Sequence, residues 1–507
     1  MDQQNIPPVT ETGNSKKKWT IPLSGIWVIS TIIFCAIFAI IMTPRAQAQT
    51  KAQDPSGQYT SVIRNVFDFI QRHYVDEVDP KVLYEGAMTG MFNSLGDPYS
   101  VFLPESEMKD LNDTTQGSFG GVGLYISQKT GAARPDGKPN FLEVAAPIED
   151  TPGWKAGINP GDLITQINGE STEKLSTDEA VARLRGQPGT DVKLIIRRGE
   201  TVEFPVVLMR AIIEVPTVKH DMIGDIGYLK LITFTPMTVD RAGEAISDFQ
   251  SKGYKAVILD LRNNYGGLLN SAVGVSNLFF EGGIVVSTKS RIPTENQVFY
   301  ARGKSVVPAD IPVIVLINRG SASASEIVAG ALKDRGRGYL VGEKSYGKGS
   351  VQQVYPMDSA GFKITTARYY TPSDVNIDKI GIPPDKEVLF PEFTEADAGT
   401  LNSLLNSGKI ADFVKNNPSA GKEGIEAFAK TLNKDYNLDI TLLSRLIRNE
   451  QNRTTIAPVY DLEYDVQLQE AVKIIKDGNF KALMQTTKTL KELQDAASQD
   501  NKSGLAS

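Results

Sequence analysis

The sequence is poor in the residues that most often supply nucleophiles, general bases and metal ligands. Its 507 residues include one cysteine, Cys35, and two histidines, His73 and His220. Cys35 lies in an apolar run, so the chain offers no disulfide, no thiol nucleophile and no cysteine-rich metal site. His73 lies in an amphipathic run and His220 in a polar turn, and neither segment resembles an active-site loop. If the chain is a hydrolase, its general base is therefore expected to be a lysine, and no metal or cofactor is predicted.

The chain also lacks a surplus of positive charge. It carries 54 lysines and arginines against 60 aspartates and glutamates, a formal net charge of −6. This balance predicts no basic surface for nucleic acid. A chain of 507 residues with 41% hydrophobic content is large enough for two or three domains with cores of their own.

Charge is absent from one long stretch near the N-terminus. No charged residue occurs between Lys18 and Arg45, and Leu23 to Met42 form an apolar run long enough to span a bilayer. Lysines 16–18 precede this run, so the positive-inside rule predicts a cytoplasmic N-terminus (1–18), a single-pass anchor (19–44) and a remainder outside the cytoplasm. A cleavable signal peptide is the alternative, because Ala46-Gln47-Ala48 fits a cleavage site. Residues 45–58 are polar and predict a linker.

A cluster of serines lies at the centre of the chain. The β-branched run Ile311 to Ile317 predicts a buried strand, and Glu326 to Asp334 carry apolar residues at helical spacing. Ser321, Ser323 and Ser325 lie between the two, at the start of the helix. Unpaired N–H groups and the helix dipole stabilise an anion there, as an oxyanion hole does. The alternative is a capping box, since Ser323 and Glu326 fit the S-x-x-E pattern.

A glycine-rich turn downstream supplies two lysines. Gly342 to Gly349 (GEKSYGKG) contains Lys344 and Lys348 and precedes an alternating run typical of a strand. A lysine acts as a base only when its amine is neutral, which requires burial and few nearby carboxylates. In an extended strand, Gln352 would lie on the same face as Lys348, where its amide could hold the amine toward a serine. The alternative for Lys348 is a solvated turn residue.

The same turn partly matches a phosphate-binding loop. The pattern Gly342-x-x-x-x-Gly347-Lys348 fits, but Gly349 replaces the serine or threonine that would hold magnesium. A phosphate loop opens a helix, whereas a strand is predicted here, so the sequence argues against an ATPase.

Two of these segments resemble a known protease family. The runs NRGSASASE (318–326) and GEKSYGKGSVQ (342–352) resemble the carboxyl-terminal processing, or tail-specific, proteases of the Ser-Lys class. The resemblance implies that Ser323 is the nucleophile, that Lys348, 25 residues later, is the base, and that Gln352 supports the lysine. It also implies an oxyanion hole formed by the amide of Ala324 and that of Gly266 or Gly267 in the segment DLRNNYGG, with the choice of glycine left open.

Residues 117–210 resemble a PDZ domain. The glycine-rich turn from Phe119 to Leu124 runs into a strand, where successive amides can bind a carboxylate and the strand edge can pair with a peptide. The resemblance implies that peptides with free C-termini bind at Gly121, Val122, Gly123 and Leu124. A helix from Thr177 to Arg185 would line the groove, and Arg185 would take part in gating the protease.

The predicted architecture is a multidomain α/β protein. An N-terminal transmembrane helix is followed by a helical segment (59–112), an inserted PDZ domain of strands and helices (115–210), an α/β protease core (211–395) and a helical C-terminal region (396–507). The helical segment is expected to pack as a collar or to contribute to a homodimer, and the C-terminal region to cap or to dimerise. Asp374 occupies a position where the family commonly has glycine, which leaves the conformation of that turn in question.

Two functions follow from these features. The first is a bacterial-type, membrane-anchored serine endopeptidase that acts outside the cytoplasm, in the periplasm, cell-wall space or lumen, and cleaves C-terminal regions of proteins without a cofactor. The second is a non-catalytic membrane scaffold that binds protein tails through its PDZ domain. The complete set of Ser323, Lys348 and Gln352 favours the enzyme, because a decayed site would usually have lost one of the three.

Overall fold

The computed structural model describes residues 55–127, 141–148, 150–199, 201–454 and 458–504. The predicted cytoplasmic N-terminus, the membrane anchor at 19–44 and most of the linker lie outside these residues. Within the described ranges, no helix is long and apolar enough to cross a membrane. The membrane anchor therefore stays a prediction.

The chain divides into two compact units, Met1–Ala87 and Met88–Ser507. The described part of the first unit contains helix α1 (Pro55–His73) and the opening turns of helix α2 (Pro80–Asn93), which ends in the second unit. Apolar residues at helical spacing from Val62 to Tyr74 and from Pro80 to Leu95 predict two helices, and both are confirmed. The apolar side chains along α1, among them Val62, Val66 and Phe69, are exposed. A homodimer contact by this helix stays a prediction.

The second unit begins with a short strand and a helix and continues into the PDZ-like module. The elements are β1 (Val101–Leu103), α3 (Glu105–Gln116), β2 (Ser118–Gly121), β3 (Leu124–Ser127), β4 (Leu142–Pro147), α4 (Pro152–Lys155), β5 (Leu163–Ile167), β6 (Glu170–Ser171), α5 (Thr177–Leu184), β7 (Asp191–Arg198), β8 (Val202–Met209) and β9 (Ala211–Glu214).

The module is built on one antiparallel sheet with its own apolar core. The strand order is β3-β4-β5-β7-β8, with β6 paired to β5, and Leu142, Ile164 and Ile196 are fully buried beneath it. Helix α5 starts at a capping box formed by Ser176 and Glu179. Strands β2 and β9 pair with each other at the entry and exit of the module, so the module is inserted through a two-stranded ribbon.

The protease core alternates strands and helices, as the sequence predicts. Its elements are β10 (Val218–Ile223), β11 (Ile226–Leu231), α6 (Thr238–Ser251), β12 (Ala256–Asp260), α7 (Leu269–Asn277), β13 (Ile284–Ser290), β14 (Gln297–Tyr300), β15 (Val313–Ile317), α8 (Ala324–Asp334), β16 (Tyr339–Gly342), β17 (Ser350–Met357), β18 (Ala360–Tyr370) and β19 (Lys386–Glu387).

A largely parallel sheet forms the centre of the core, in the order β10-β11-β12-β15-β16-β19. Only β10 runs antiparallel to its neighbour. Every residue of β12 and β15 is buried, because both faces of the sheet are covered, and this explains their continuous apolar runs. The carboxyl ends of parallel strands meet at one edge, so the loops after β12, β15 and β16 converge.

An antiparallel sheet in the order β1-β18-β13-β14, with β17 paired to β18, lies beside this edge. The polar stretch from Ser287 to Arg302 predicts an exposed loop or hairpin, and the structure forms the hairpin of β13 and β14 there. Asp374 follows β18 with a φ of 63° and pairs with Lys289. An aspartate thus keeps the left-handed turn, a conformation that its short polar side chain tolerates better than most.

The C-terminal region is helical, with elements α9 (Ala398–Asn406), α10 (Lys409–Asn416), α11 (Lys422–Tyr436), α12 (Ile440–Thr454), α13 (Val466–Lys476), α14 (Phe480–Met484) and α15 (Leu490–Gly504). The spacing of apolar residues from Lys481 to Leu493 predicts one helical stretch, and this prediction is wrong because the chain leaves the helix after Met484 and α15 begins at Leu490. Leu468 and Ala471 of α13 pack under the parallel sheet with Ile258. The region therefore supplies part of the protease core as well as covering it.

Candidate active site

Ser323 lies at the sharp turn between strand β15 and helix α8. Its φ of 54° and ψ of −112° differ from the extended conformation typical of an N-cap residue. A non-glycine residue at positive φ is strained, and such strain is concentrated at functional sites. A serine at a strained strand-to-helix turn is also the arrangement of a nucleophile elbow. The backbone thus favours a chemical role for Ser323 over capping alone.

The two neighbouring serines have structural partners. The Ser321 hydroxyl donates to the carbonyl oxygen of Leu261 at 2.8 Å, and the Ser325 hydroxyl donates to that of Asn264 at 2.8 Å. Both serines are fully buried. Their hydrogen bonds fasten the start of α8 to the loop after β12.

The buried carboxylate of Glu326 connects the serine turn to the lysine turn. Its Oε2 atom accepts the N–H groups of Ser323 at 2.9 Å and Lys348 at 2.8 Å. Its Oε1 atom accepts the hydroxyl of Ser345 at 2.6 Å and the N–H of Gly347 at 2.7 Å. Burial raises the pKa of Glu326, and the four hydrogen bonds act against that rise.

The sequence reasoning missed this role of Glu326. The S-x-x-E pattern identified the bond from the Ser323 N–H, which is one half of a capping box. The other three groups that donate to Glu326 lie 19 to 22 residues away along the chain. No local sequence pattern predicts these contacts. Glu326 is therefore both a cap and the link between the two predicted catalytic segments.

Lys348 is half-buried at the end of the glycine-rich turn. Burial lowers the pKa of its amine, the charge of Lys363 acts in the same direction, and the carboxylates of Asp97 and Glu326 oppose both. A lowered pKa is what a lysine base requires. The Nζ atom lies 4.5 Å from the centre of the Tyr99 ring, and among the residues that the structure describes it forms no hydrogen bond with Ser323.

Gln352 is not placed as predicted. Its amide donates to Ser350 Oγ at 2.9 Å and to Thr365 Oγ1 at 3.2 Å rather than to Lys348. The prediction required an extended strand from Lys348 to Gln352, but β17 begins only at Ser350 and its register shifts between Val351 and Gln352. The face assignment by residue spacing therefore fails at this position.

Two unpaired backbone N–H groups lie beside the candidate nucleophile. The N–H of Gly266 donates to Asn264 Oδ1 at 2.9 Å, whereas those of Gly267 and Ala324 donate to no acceptor in the described part of the chain. A Cβ atom on Gly266 would come within 2.9 Å of the Ser323 Cβ, so the Gly266-Gly267 turn packs directly against the serine. This geometry favours Gly267 and Ala324 as the oxyanion donors.

Tyr369 of β18 is a further buried neighbour of Ser323 that the sequence did not reveal. Burial raises the pKa of its phenol, while a hydrogen-bonding interaction with Ser323 acts in the opposite direction. The phenol therefore stays protonated and adds a polar group to an otherwise apolar wall.

The predicted peptide-binding turn of the PDZ-like module has the expected backbone form. Gly123 has a φ of 73°, and a Cβ atom there would lie 2.2 Å from Thr151, so only glycine fits. The N–H groups of Val122 and Gly123 donate to no acceptor among the described residues, and Leu124 begins the edge strand β3. Gly121 ends β2.

Arg185 lies directly after α5, at the end of the predicted groove helix. Its guanidinium group packs over the Phe119 ring, 4.6 Å from the ring centre, and the adjacent Gly186 N–H donates to the Gly120 carbonyl oxygen. The structure thus connects Arg185 to the start of the carboxylate-binding turn.

The two histidines lie on elements other than the serine and lysine turns. His220 lies on β10 with its Nε2 atom 3.5 Å from Asp248, and His73 ends α1 in the first unit. In the described ranges, no group of three or more histidine, cysteine, aspartate or glutamate side chains could hold a metal ion.

A strained serine joined through a buried carboxylate to the turn of a lysine with a lowered pKa is the arrangement expected of a serine hydrolase that uses an amine as base. Comparisons with known proteins agree with this class. The model of peptidase family S41 matches residues 225–388, that of the PDZ domain matches 143–198, and that of the activating protease CtpB N-terminal domain matches 38–107.

Relatives that match most of the chain identify its family. The carboxy-terminal-processing protease of Bartonella bacilliformis is 38% identical over 435 residues, 84% of this chain and 96% of that protein. The carboxy-terminal processing protease CtpA of Bacillus subtilis is 31% identical over 400 residues, 78% of this chain and 84% of that protein. A solved structure of a photosystem II D1 C-terminal processing protease is 29% identical, covers 65% of this chain and 92% of its own, and has a TM-score of 0.39.

The chain therefore belongs to the carboxy-terminal-processing proteases of peptidase family S41. It is a serine-type peptidase with a PDZ domain, and the resemblance stated from its motifs is confirmed. The alternative of a non-catalytic scaffold is not favoured.

Proposed function

We propose that Ser323 and Lys348 form the catalytic dyad of a peptidase that cleaves the C-terminal regions of protein substrates. The neutral Lys348 amine takes the proton of the Ser323 hydroxyl, and the Ser323 oxygen attacks the peptide carbonyl carbon. The lysine then passes the proton to the leaving amine. Water activated by the same lysine hydrolyses the acyl-enzyme and restores Ser323.

The N–H groups of Ala324 and Gly267 stabilise the oxyanion in this proposal. Ala324 begins α8, where unpaired N–H groups and the helix dipole favour negative charge. Gly267 supplies the second donor because the N–H of Gly266 is already engaged with Asn264. Donors fixed in this way cost no reorganisation when charge develops in the transition state.

The shared carboxylate of Glu326 carries the proposal. The serine turn and the lysine turn come from different parts of the chain, yet both donate backbone hydrogen bonds to the same buried oxygen atom. This arrangement fixes the two turns relative to each other through backbone N–H groups, without engaging the Lys348 amine. Gln352 acts on Lys348 at most indirectly, through Thr365, to which its side-chain amide donates a hydrogen bond.

Substrate tails bind at the PDZ domain in the same proposal. The unpaired N–H groups of Val122 and Gly123 would hold the terminal carboxylate, and the edge strand that starts at Leu124 would pair with the peptide backbone. Arg185 packs on Phe119 beside this turn. In the proposal it couples peptide binding at the PDZ domain to the activity of the protease core.

The location outside the cytoplasm is also part of the proposal. The apolar run from Leu23 to Met42 would anchor the chain with residues 1–18 in the cytoplasm. The sequence contains no cysteine after Cys35, so the exported part would fold without disulfides. Protease-protection experiments on intact cells test this orientation.

Cleavage of an unstructured protein by the full-length chain in detergent tests the dyad. Ser323→Ala and Lys348→Ala should fold normally and lose cleavage, whereas Ser247→Ala, an exposed serine on α6, should retain it. Circular dichroism checks folding, and mass spectrometry identifies the cut sites. Cleavage retained by a contaminant-free Ser323→Ala protein would refute the assignment of the nucleophile.

A further inference from the structure

A charged cavity of about 370 Å³ lies at the carboxyl edge of the parallel sheet. The strand β11 and the loops after β12, β15 and β16 form one wall of the cavity. Phe390 and Glu392 after β19, together with Arg445 and Asp465 of the C-terminal region, form the other. Ligands of α/β proteins bind characteristically at this edge of a sheet, and the proposed catalysis does not use the cavity.

Two of the cations that line the cavity are already paired. Arg262 is buried and binds the carboxylates of Asp260 and Asp465, each at 2.6 Å. Arg319 lies 3.1 Å from Glu343. Arg319 also lies 3.7 Å from Glu392, an exposed carboxylate at the rim of the cavity.

The other two cations, Lys230 and Arg445, are not paired. Neither has a carboxylate within 4.0 Å or donates a hydrogen bond to another residue in the described part of the chain. Arg445 is half-buried and packs over Phe390, 4.1 Å from the ring centre. Burial lowers its pKa, against the attraction of Asp465, Glu343 and Glu392, and the positive charge of Arg262 adds to the lowering.

The two least exposed carboxylates that line the cavity, those of Asp465 and Glu343, are already engaged, whereas the Arg445 guanidinium group is not. The Asp465 oxygens accept from Arg262 and from the Leu468 N–H, and Glu343 accepts from the Phe390 N–H as well as pairing with Arg319. A half-buried guanidinium group without an acceptor is costly, and its planar fork matches a carboxylate or phosphate.

The cavity also borders the proposed catalytic loops. Asn263 and Gly320 line it, three residues before Gly266 and Ser323 respectively. The Asn263 backbone N–H and the Gly320 N–H both donate to the Asn318 side chain, at 2.9 and 3.0 Å, so the two loops form one rigid wall. An anion bound to Arg445 would connect this wall to the C-terminal region.

We propose that this cavity is a binding site for a small oxyanion, held by Arg445 and Lys230. Inorganic phosphate and the terminal carboxylate of a short peptide are two sources of the same chemistry. The site is independent of the proposed dyad, since neither cation contacts Ser323 or Lys348.

Isothermal titration calorimetry on the full-length Ser323→Ala protein in detergent tests the site. The titrants are inorganic phosphate, N-acetyl-alanyl-alanine and the C-terminal amide of that peptide, all at constant ionic strength. Arg445→Gln and Lys230→Gln should each weaken anion binding at least tenfold. Arg302→Gln, which removes an exposed arginine with no ion pair among the described residues, should leave binding unchanged.

The outcomes separate the two sources. Binding of phosphate alone identifies an inorganic anion, and binding of the free-acid peptide but not its amide identifies a peptide carboxylate. A peptide held only by the PDZ domain would bind equally well to Arg445→Gln, which would overturn the proposal for that ligand. The proposal is also overturned if no titrant binds at millimolar concentration, if either cavity variant binds like the parent, or if Arg302→Gln weakens binding equally.

Discussion

The Nζ atom of Lys348 lies over the face of the Tyr99 ring, 4.5 Å from its centre. Tyr99 belongs to the segment Gly96-Asp97-Pro98-Tyr99-Ser100, which precedes the PDZ domain in sequence. Within the same segment, Asp97 accepts hydrogen bonds from Ser100 and Thr365, each at 2.6 Å. The segment thus holds the amine of the proposed base in a position where it is not bonded to Ser323.

Tyr99→Leu should therefore raise basal cleavage of a short peptide. The substitution removes the ring that attracts the ammonium group, and a cation–π contact contributes about 0.5–2 kcal/mol, so the increase should be roughly 2- to 30-fold. Tyr99→Phe keeps the ring and should stay within about twofold of the wild type. Initial rates with a fluorogenic peptide provide the measurement. A loss of activity in Tyr99→Leu would mean that the observed position of Lys348 is its working position.

The pH dependence of cleavage should report the amine of Lys348. Its pKa lies below the ordinary value of 10.5, because burial and Lys363 disfavour the charged form. The value of kcat/KM should accordingly rise with pH as the amine loses its proton, with a midpoint below 10.5.

Lys363→Gln should move that midpoint to higher pH. Removal of a neighbouring positive charge makes the protonated Lys348 more favourable, by roughly half a pH unit or about 0.7 kcal/mol. Lys344→Gln, at an exposed position in the same turn, should leave the profile unchanged. A profile that moves to lower pH in Lys363→Gln would contradict this assignment of the base.

Gly267→Ala should reduce kcat at least 10²-fold, the usual loss on removal of one oxyanion donor. A Cβ atom there would lie 2.2 Å from the Phe234 carbonyl oxygen, so the turn must move and its N–H with it. Gly253→Ala is the matched control, because Gly253 also has a positive φ, of 69°, but has open space around it. It should cost only about 1 kcal/mol of stability and no activity. Steady-state kinetics and chemical denaturation separate the two effects.

Glu326→Gln should lower kcat/KM roughly 10²-fold, as misplacement of catalytic groups by about 1 Å does. The amide NH₂ cannot accept, so two of the four donors that face the carboxylate lose their acceptor. The effect should fall mainly on kcat, since Glu326 is fully buried and cannot touch the substrate. Unchanged kinetics in a correctly folded Glu326→Gln protein would show that the two turns are fixed by other contacts.

Lys333→Met should destabilise the fold by about 3–5 kcal/mol, because it leaves the buried charge of Asp385 without its partner. Lys333 lies on α8 with only 1% of its side chain exposed. Lys491→Met removes one member of an exposed pair with Asp495 and should cost less than about 1 kcal/mol. Urea denaturation of the two variants gives the comparison. Equal costs would argue against a structural ion pair at Lys333.

The arrangement around Glu326 shows which parts of this site can be predicted from the sequence. The strand before Ser323, the helix after it and the glycine-rich turn of Lys348 were all predictable, because periodicity and turn residues are local signals. The sharing of one carboxylate by both segments was not, since the donors are about twenty residues apart and meet only in the folded core.

The same difference between local sequence signals and contacts that form only in the folded core explains the error at Gln352. Gln352 was assigned to the face of Lys348 by counting residues along a strand, but the strand starts later and contains a register shift that no residue type announces. Ser321 and Ser325 share the helix-start position of Ser323, and their bonds to the carbonyl oxygens of Leu261 and Asn264 give them structural roles that the sequence does not show.

The sequence by itself determined the order of elements, the family and the identity of the serine and lysine candidates, because these are carried by motifs and by the alternation of apolar residues. Only the tertiary structure decided that Gly267 rather than Gly266 has the unpaired N–H, that Tyr99 holds the lysine and that α13 completes the protease core. Those contacts join residues far apart in the chain, and their geometry is set by packing and hydrogen bonding that form only when the domain closes.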